Sequence, residues 1–526
     1  MSKLGKRGAS DVTSRKLAPG IAAFAAALLV ALIGLVASAD QPSGDGRDER
    51  GGVVELRLLG VNDLHGHLEP PRPGVGGVAW MAAHLDAQTV QGRTIRVHAG
   101  DMVGATPLLS SWFHDEPTIE AANALGFDVG TVGNHEFDEG GEELARLLGG
   151  GRRDGPDALR RDAGGELVNT SGPAYAGAAF PHLAANTLTA DGEPLLAPYE
   201  IVERAGVRIG FIGVTTPSTP RFLLPRHAAG LRFADISDTV DRWTAELRRR
   251  GVEAIVVLAH AGAAPGPGGA GAAGEVVDEV AEMSSAVDVV IAGHSHTELN
   301  LRVPNANGAG DKLVVQARSY GIAFDRVDIA VDRATGDVVA KRAEIVSTAH
   351  ETVTADSALA AHVRSYADRI APLAERVVGS AERPLTRANG RLGTVAARAQ
   401  RAFAGADVAL VNRGSVRADL PAGPLREAAL FAVHPYDFAL VRMRLGGAEL
   451  AALLAADRAS GPDAQLHVAG PAGGIDRAAI YTVVANELAA SSEDFPALRD
   501  APRSGPPIGS ETEALVSHFA AWRPPR

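Results

Sequence analysis

The chain has no cysteine among its 526 residues. Disulfides, thiolate metal ligands and a lipoprotein anchor are therefore excluded. Any metal must be held by His, Asp, Glu, Asn or Gln. Lysine is scarce too, with five among 51 basic residues. The 63 acidic residues give a formal net charge of −12, so no overall positive field exists to hold a polyanionic nucleic acid. An anionic substrate would need a local basic patch. Beyond the first 39 residues no long apolar run occurs, and Trp522-Arg523-Pro524-Pro525-Arg526 is not an anchor. What is present is ordinary: 46% hydrophobic and 22% charged residues, in a length that suits two or three domains. The 60 Gly and 31 Pro predict many loops.

The start of the chain reads as a leader. Lys3, Lys6, Arg7, Arg15 and Lys16 precede an apolar stretch from Ile21 to Val36, and Ala37-Ser38-Ala39 follows. A basic start, an apolar run and a small-x-small site describe a secretory signal peptide, here residues 1–39. An uncleaved anchor is the alternative, since Leu17 to Ala39 nearly spans a bilayer. The Ala-x-Ala signal favours cleavage, which leaves 46 basic and 62 acidic residues. Residues 40–52 are polar and Gly-rich and read as a flexible tether.

The stretch Gly133-Asn134-His135-Glu136-Phe137-Asp138 organises the rest. It follows a short apolar run, Asp128 to Val132, that predicts a buried strand. An amide, an imidazole and a carboxylate thus emerge from one turn. Other predicted strands end in the same manner. Leu56 to Val61 leads into Asn62-Asp63-Leu64-His65-Gly66. Thr94 to Ala99 leads into Gly100-Asp101. Ala254 to Ala259 ends at His260, and Val287 to Ala292 ends in Gly293-His294-Ser295-His296. Val207 to Val214 is a strand without an ionisable end. Helical patterns lie between, among them Ser237 to Arg249 with Val240, Trp243 and Leu247 on one side. Strands alternating with helices predict an α/β layered domain, with a site at the carboxyl edge of one sheet.

A lone histidine at a strand end is usually structural. Asp63, His65, Asp101, Asn134, His260, His294 and His296 together are another matter. Seven oxygen and nitrogen donors suit two divalent ions that share a bridging carboxylate, and Asp101 is the expected bridge. His67, His84 and His98 lie nearby without the pattern.

Asp-x-His, Gly-Asp, Gly-Asn-His-Glu, a strand-end His and Gly-His-x-His, in that order, resemble the calcineurin-like metallophosphoesterases. Asn62 to Gly66 and Asn134 to Asp138 resemble the secreted 5′-nucleotidase and UDP-sugar hydrolase branch, with similarity from about Leu56 to about Leu498. The resemblance implies a four-layered α/β metallophosphoesterase sandwich followed by a second α/β substrate-binding domain. It implies two divalent metal ions, zinc, manganese or similar. One would take Asp63, His65, Asp101 and His296, the other Asp101, Asn134, His260 and His294. Several relatives carry Gln where this chain has His296. His135 would contact the transferred phosphoryl group or leaving oxygen, oriented by Asp138.

The resemblance continues in Val411-Asn412-Arg413-Gly414-Ser415-Val416-Arg417. Arg417 takes the place of a substrate-binding Arg, with Asn412 in the same motif. Arg383 and Arg387 lie where relatives carry further substrate-binding Arg. Planar, bidentate guanidinium groups suit a phosphate. Relatives also sandwich the nucleobase between two aromatics. The first corresponds to Tyr436 in Pro435-Tyr436. The second falls at Glu487, and the Gly pair that follows it in relatives is here Ser491-Ser492.

The expected organisation is a metallophosphoesterase domain over 53–350, a linker helix over 351–378 and a substrate-binding domain over 379–526. Two inserts, Gly149 to Gly172 and Ala261 to Gly274, read as a surface excursion and a mobile loop. Pro372 would bend or end the linker helix, and Thr352 to Val378 is the candidate hinge. The implied protein is secreted or held in the cell envelope. It hydrolyses a small phosphate ester, a nucleoside 5′-monophosphate or nucleotide-diphosphate sugar, by attack at phosphorus. The rivals are a cyclic-nucleotide phosphodiesterase and an exported ligand-binding protein without turnover.

Overall fold

The computed structural model describes residues 52–266, 271–461 and 464–521. The expected leader, nearly all of the tether and Trp522 to Arg526 lie outside the described residues. So does 267–270, the tip of the second insert.

Short runs rich in Val, Ile and Leu form two six-stranded sheets. The first has the order Val338–Ser347, Ala323–Asp332, Val53–Val61, Thr94–Ala99, Val129–Thr131 and His182–Leu183. Its last four strands run parallel and its first two join antiparallel. The second has the order Glu298–Pro304, Asp311–Ala317, Val289–Ala292, Ala254–His260, Val207–Thr215 and Tyr199–Arg204. Its four inner strands are parallel. Strands buried on both faces carry near-continuous apolar sequence rather than alternation, as in Ala254-Ile255-Val256-Val257-Leu258-Ala259-His260, every residue of which is buried.

The sheets pack face to face through Leu56, Leu58, Val97, Phe211, Val256 and Ile291. Helices Val78–Gln88, Glu116–Leu125 and Ser357–Ala374 cover the outside of the first sheet. Helices Ile236–Arg249 and Glu275–Glu282 cover the second. The result is four layers, helix, sheet, sheet, helix. The site-bearing strands therefore belong to two sheets, not to the single sheet expected. Asp63, Asp101 and Asn134 leave the first sheet, while His260, His294 and His296 leave the second. Stacking aligns the two carboxyl edges, so the donors still meet.

A four-stranded sheet follows, ordered Leu440–Gly446, Ile480–Asn486, Val408–Asn412 and Leu466–Ala469. Helices Arg391–Ala404 and Glu511–Ala521 pack together beside it. The linker helix runs from Ser357 to Ala374, and Asp356 caps it by accepting from the Leu359 N–H. Leu359, Val363, Ile370 and Leu373 are buried along one stripe, and the helix ends two residues after Pro372.

The first insert is an excursion with most of 151–167 exposed, but it is ordered and anchored. It forms a hairpin, Leu159–Arg161 with Leu167–Asn169. Arg153 and Arg160 both reach Nδ1 of buried His114 at 3.2 Å. Ser171 donates to buried Glu116, which anchors the end of the insert. The second insert begins and ends as a small strand pair, Ala264–Pro265 with Ala272–Ala273.

One core residue runs against the apolar pattern. Asp325 pairs across the sheet with Gly60, is fully buried, and neither carboxyl oxygen has a partner. Burial raises it well above its ordinary value. The folded chain then retains a proton that the unfolded chain releases near its ordinary value. Stability is full below that pH and is lost as the pH climbs toward the folded-state value. Asp325→Asn should remove this loss, so its advantage should grow by up to about 1.4 kcal/mol per pH unit across that window. Thermal melts from pH 4 to 8 should show the variant's advantage widening with pH; a constant difference would contradict the assignment.

Candidate metal centre and substrate cleft

Sharp turns build the site. Asp63, His65, Asp101, His294 and His296 all have positive φ, between 46° and 76°. Left-handed backbone is strained for residues with a Cβ, at roughly 1 kcal/mol each or more. Five of the seven expected ligands therefore share a backbone state that few other residues adopt. Turning the chain this way as it leaves the sheet points successive side chains into one space. The loops lie close together. Asp63 and His65 donate N–H to the carbonyls of Gly100 and Asp101, at 3.1 and 3.0 Å. A Cβ on Gly100 would come within 2.6 Å of the Gly133 nitrogen, so only glycine permits that approach.

The donors form two groups, Asp63 with His65 and His296, and Asp101 with His260 and His294. Their hydrogen bonds reveal what is required between them. His260 Nδ1 donates to the Ala99 carbonyl at 2.8 Å. Its Nε2 is thereby turned toward Asp101 Oδ2 at 3.0 Å and Asn134 Oδ1 at 3.2 Å. His65 repeats the arrangement. Nδ1 donates to Gly104 O at 2.8 Å, and Nε2 faces His296 Nε2 at 3.1 Å and Asp101 Oδ2 at 3.5 Å. Asn134 Oδ1 also meets His294 Nδ1 at 2.8 Å. Clustered carboxylate, imidazole and amide groups of this kind need positive charge between them, supplied by a shared proton or by a bound cation. Nitrogen and oxygen donors without thiolate fit a divalent metal, and Asp101 lies against both groups. The same need appears in the ionisation of His260. Burial opposes its charge, yet the Asp101 carboxylate, by charge and hydrogen bond, pushes it up to about 10. Burial and the neighbouring His260 charge push His294 down to about 4.

His135 stands beside these ligands, with Nδ1 at 2.9 Å from Asp138 Oδ2. Nε2 is 3.4 Å from the hydroxyl of Tyr436, on the other side of the cleft. Burial opposes the imidazolium, but Asp138 and Asp101 together hold it above its ordinary value. A cavity of about 800 Å³ opens here, of nucleotide size. Asn134, His135 and His294 line one wall, Asn412, Arg417 and Tyr436 the other. Asn412 Oδ1 accepts the Gly414 N–H and so shapes its own turn. Arg417 lies 5.9 Å from the Tyr436 ring centroid.

Two expected substrate residues are elsewhere. Arg383 and Arg387 are exposed and do not line the cavity, and Arg387 pairs with Asp419 at 3.4 Å. Their segment precedes the helix Arg391–Ala404. Glu487 does not line the cavity either; it pairs with Arg226.

Sequence reasoning misses other contributors. Glu136, visible only as part of a motif, is buried and accepts the N–H groups of Asp101 at 3.0 Å, Met102 at 2.8 Å and Gly133 at 2.5 Å. It clamps the Asp101 turn to the Asn134 turn. Its place three residues after Gly133, where it can reach back to the Gly133 N–H, is the available signal. Tyr320, also at positive φ, packs its ring against His67 at 4.1 Å and His296 at 5.3 Å. Nothing in its local sequence marks it.

Comparison with known proteins agrees with this geometry. The profile described as calcineurin-like phosphoesterase matches residues 56–298, and that described as 5′-nucleotidase, C-terminal domain, matches 369–473. The chain is 35% identical over 430 residues to Endonuclease YhcR of Bacillus subtilis, covering 78% of this chain and 33% of that protein. It is 31% identical over 451 residues to Cell wall protein Lmo0130 of Listeria monocytogenes, covering 76% and 55%. Both relatives are thus much longer than the matched region. The crystal structure of a 5′-nucleotidase precursor from Thermus thermophilus superposes with a TM-score of 0.72 at 26% identity, covering 89% of this chain and 96% of that one.

Glu136→Gln keeps the volume of the clamp but removes its charge and replaces one of its two accepting oxygens with an NH2 donor. Manganese affinity of the metal-stripped protein, measured by titration calorimetry, should fall about 10- to 100-fold. Unchanged affinity would show that the two turns are held without it.

Proposed function

The chain belongs to the calcineurin-like metallophosphoesterases that carry a 5′-nucleotidase C-terminal domain, and on that premise we propose that it is an exported phosphoesterase acting on nucleotides. Its substrates are nucleoside 5′-monophosphates or nucleotide-diphosphate sugars. The observation that carries this reading is the cavity in which His135 and the metal donors face Arg417 and Tyr436. A phosphate seated at the donors would put its organic part against the second domain. Residues 53–350 form the catalytic domain, 351–378 the linker and 379–526 the substrate-binding domain.

Asp63, His65, Asp101 and His296 would hold one ion, and Asp101, Asn134, His260 and His294 a second. Two such ions lower the pKa of a water molecule and neutralise phosphate oxygens. The remaining work falls to the side chains. Asp138 fixes the His135 ring through Nδ1, which leaves Nε2 to donate a proton to the phosphoryl or leaving oxygen. Arg417 supplies the local positive charge that the acidic chain otherwise lacks. Tyr436 and Phe438, parallel at 5.2 Å between centroids, offer a flat apolar face to a base.

Export is supported by the leader-like start and by the name of the Listeria relative. No helix among the described residues is long and apolar enough to cross a membrane.

With added manganese or zinc, phosphate release from AMP or UMP release from a UDP-sugar should be fast, and hydrolysis of an aryl phosphate, opening of a cyclic nucleotide and fragmentation of a DNA oligomer should be slow. His135→Ala should lower kcat about 10²- to 10⁴-fold. Cleavage of the oligomer alone would replace this reading with a nuclease. Binding of AMP without turnover, indifferent to His135, would replace it with a binding protein.

A further inference from the structure

Phe222 is out of keeping with its surroundings. Its neighbours Leu223 and Leu224 are buried, at 3% and 4% exposure, and Leu223 packs with Val132, Phe137 and Leu144. Phe222 itself is 38% exposed. It lines the same cavity as Tyr436, Phe438 and Phe495, and its ring lies 5.5 Å from that of His294. A large apolar side chain held in solvent by a well-anchored loop marks a surface suited to a ligand.

The residues flanking Phe222 explain how it is held. Arg221 pairs with Asp494 at 2.6 Å, and Arg226 with Glu487 at 3.1 Å. Both ion pairs join the catalytic domain to the substrate-binding domain, one on each side of Phe222 in the chain. Glu487 stands where the sequence leads one to expect the second base-stacking aromatic. Here its carboxylate ties down the loop that carries an aromatic of its own, and Leu488 beside it lines the cavity.

We propose that Phe222 is the second face of the leaving-group pocket, stacking from the catalytic domain on the planar base whose other face meets Tyr436 and Phe438. The pocket is then complete only when the two domains close, and Arg221–Asp494 with Arg226–Glu487 are the contacts that register that closure. Base recognition becomes coupled to delivery of the phosphate to His135. With Glu487 at the place of the second aromatic, the substrate-binding domain alone offers the base only the Tyr436 and Phe438 face. The inference deepens the nucleotide reading above and rests on it for the class of ligand.

Two measurements on the full chain test it. In the first, adenosine binding to metal-stripped protein is followed by saturation-transfer NMR and titration. Wild type should bind, Phe222→Ala should bind roughly tenfold more weakly, and Phe222→Tyr should retain affinity. Glu487→Arg should weaken binding several-fold, and the exchanged pair Arg226→Glu with Glu487→Arg should restore it. In the second, the ratio of kcat/KM for AMP to that for ribose 5-phosphate, which has no base, should fall roughly tenfold in Phe222→Ala. The proposal is overturned if wild type does not bind adenosine, if Phe222→Ala binds it equally, or if both kcat/KM values fall together. The last result would mean that Phe222 merely supports His294. Adenosine binding through Phe222 in a protein that releases no phosphate from AMP would leave the pocket standing and remove the hydrolase reading instead.

Discussion

A buried cluster that needs positive charge at its centre is the constraint on which this structure depends. At the shared edge of two sheets, His260 Nε2 lies 3.0 Å from Asp101 Oδ2 and 3.2 Å from Asn134 Oδ1, and His65 Nε2 lies 3.1 Å from His296 Nε2. Such a cluster is tolerated only where positive charge is to be held. The surroundings serve to keep it in place. Five of the expected ligands sit in strained left-handed backbone, Gly100 lets two turns approach, and Glu136 gathers three N–H groups between them. Strain of this kind persists only where the packing around it is rigid, and the fully buried interface between the sheets supplies that rigidity.

The second sheet-bearing region contributes charge and aromatic surface, not ligands. Arg417, Asn412 and Tyr436 approach the donors from across a cavity and leave His135 Nε2 facing Tyr436. The linker helix buries Leu359, Val363, Ile370 and Leu373 against the outer helices of the first sheet. Phe431 of the second region joins the same cluster, so the linker helix packs against both regions, and beyond it Arg376 pairs with Glu427 at 2.6 Å. Cross-cleft ion pairs exposed to solvent are weak, which suits contacts that must form and break during a cycle.

What is legible in the sequence is whatever leaves a local mark. Strands ending in Asp-x-His or Gly-His-x-His announce their ligands because the chemistry requires those residues at those spacings. The helix stripe of the linker is equally plain, since its apolar period is uninterrupted. The assignment of all ligands to one sheet fails because stacking of two sheets leaves no trace in local sequence. Arg383 and Arg387 are exposed and do not line the cavity, and a four-residue spacing says nothing about which side of a domain it occupies. The first insert reads as solvated from its charge, yet Arg153 and Arg160 find His114, a partner distant in sequence. Glu136 is in plain view, but its role depends on three N–H groups brought together only by folding. Phe222 looks like one more apolar loop residue until its exposure and its neighbours' ion pairs are known.

The account stands or falls on whether the clustered donors exist to hold catalytic cations. The most direct measurement is to strip the protein of metal, add back manganese in counted equivalents, and follow phosphate release from AMP alongside bound metal. The account predicts no release without metal and activity that rises to a plateau at two ions per chain. Release that is independent of metal, or two ions bound tightly with no release at any substrate concentration, would contradict it.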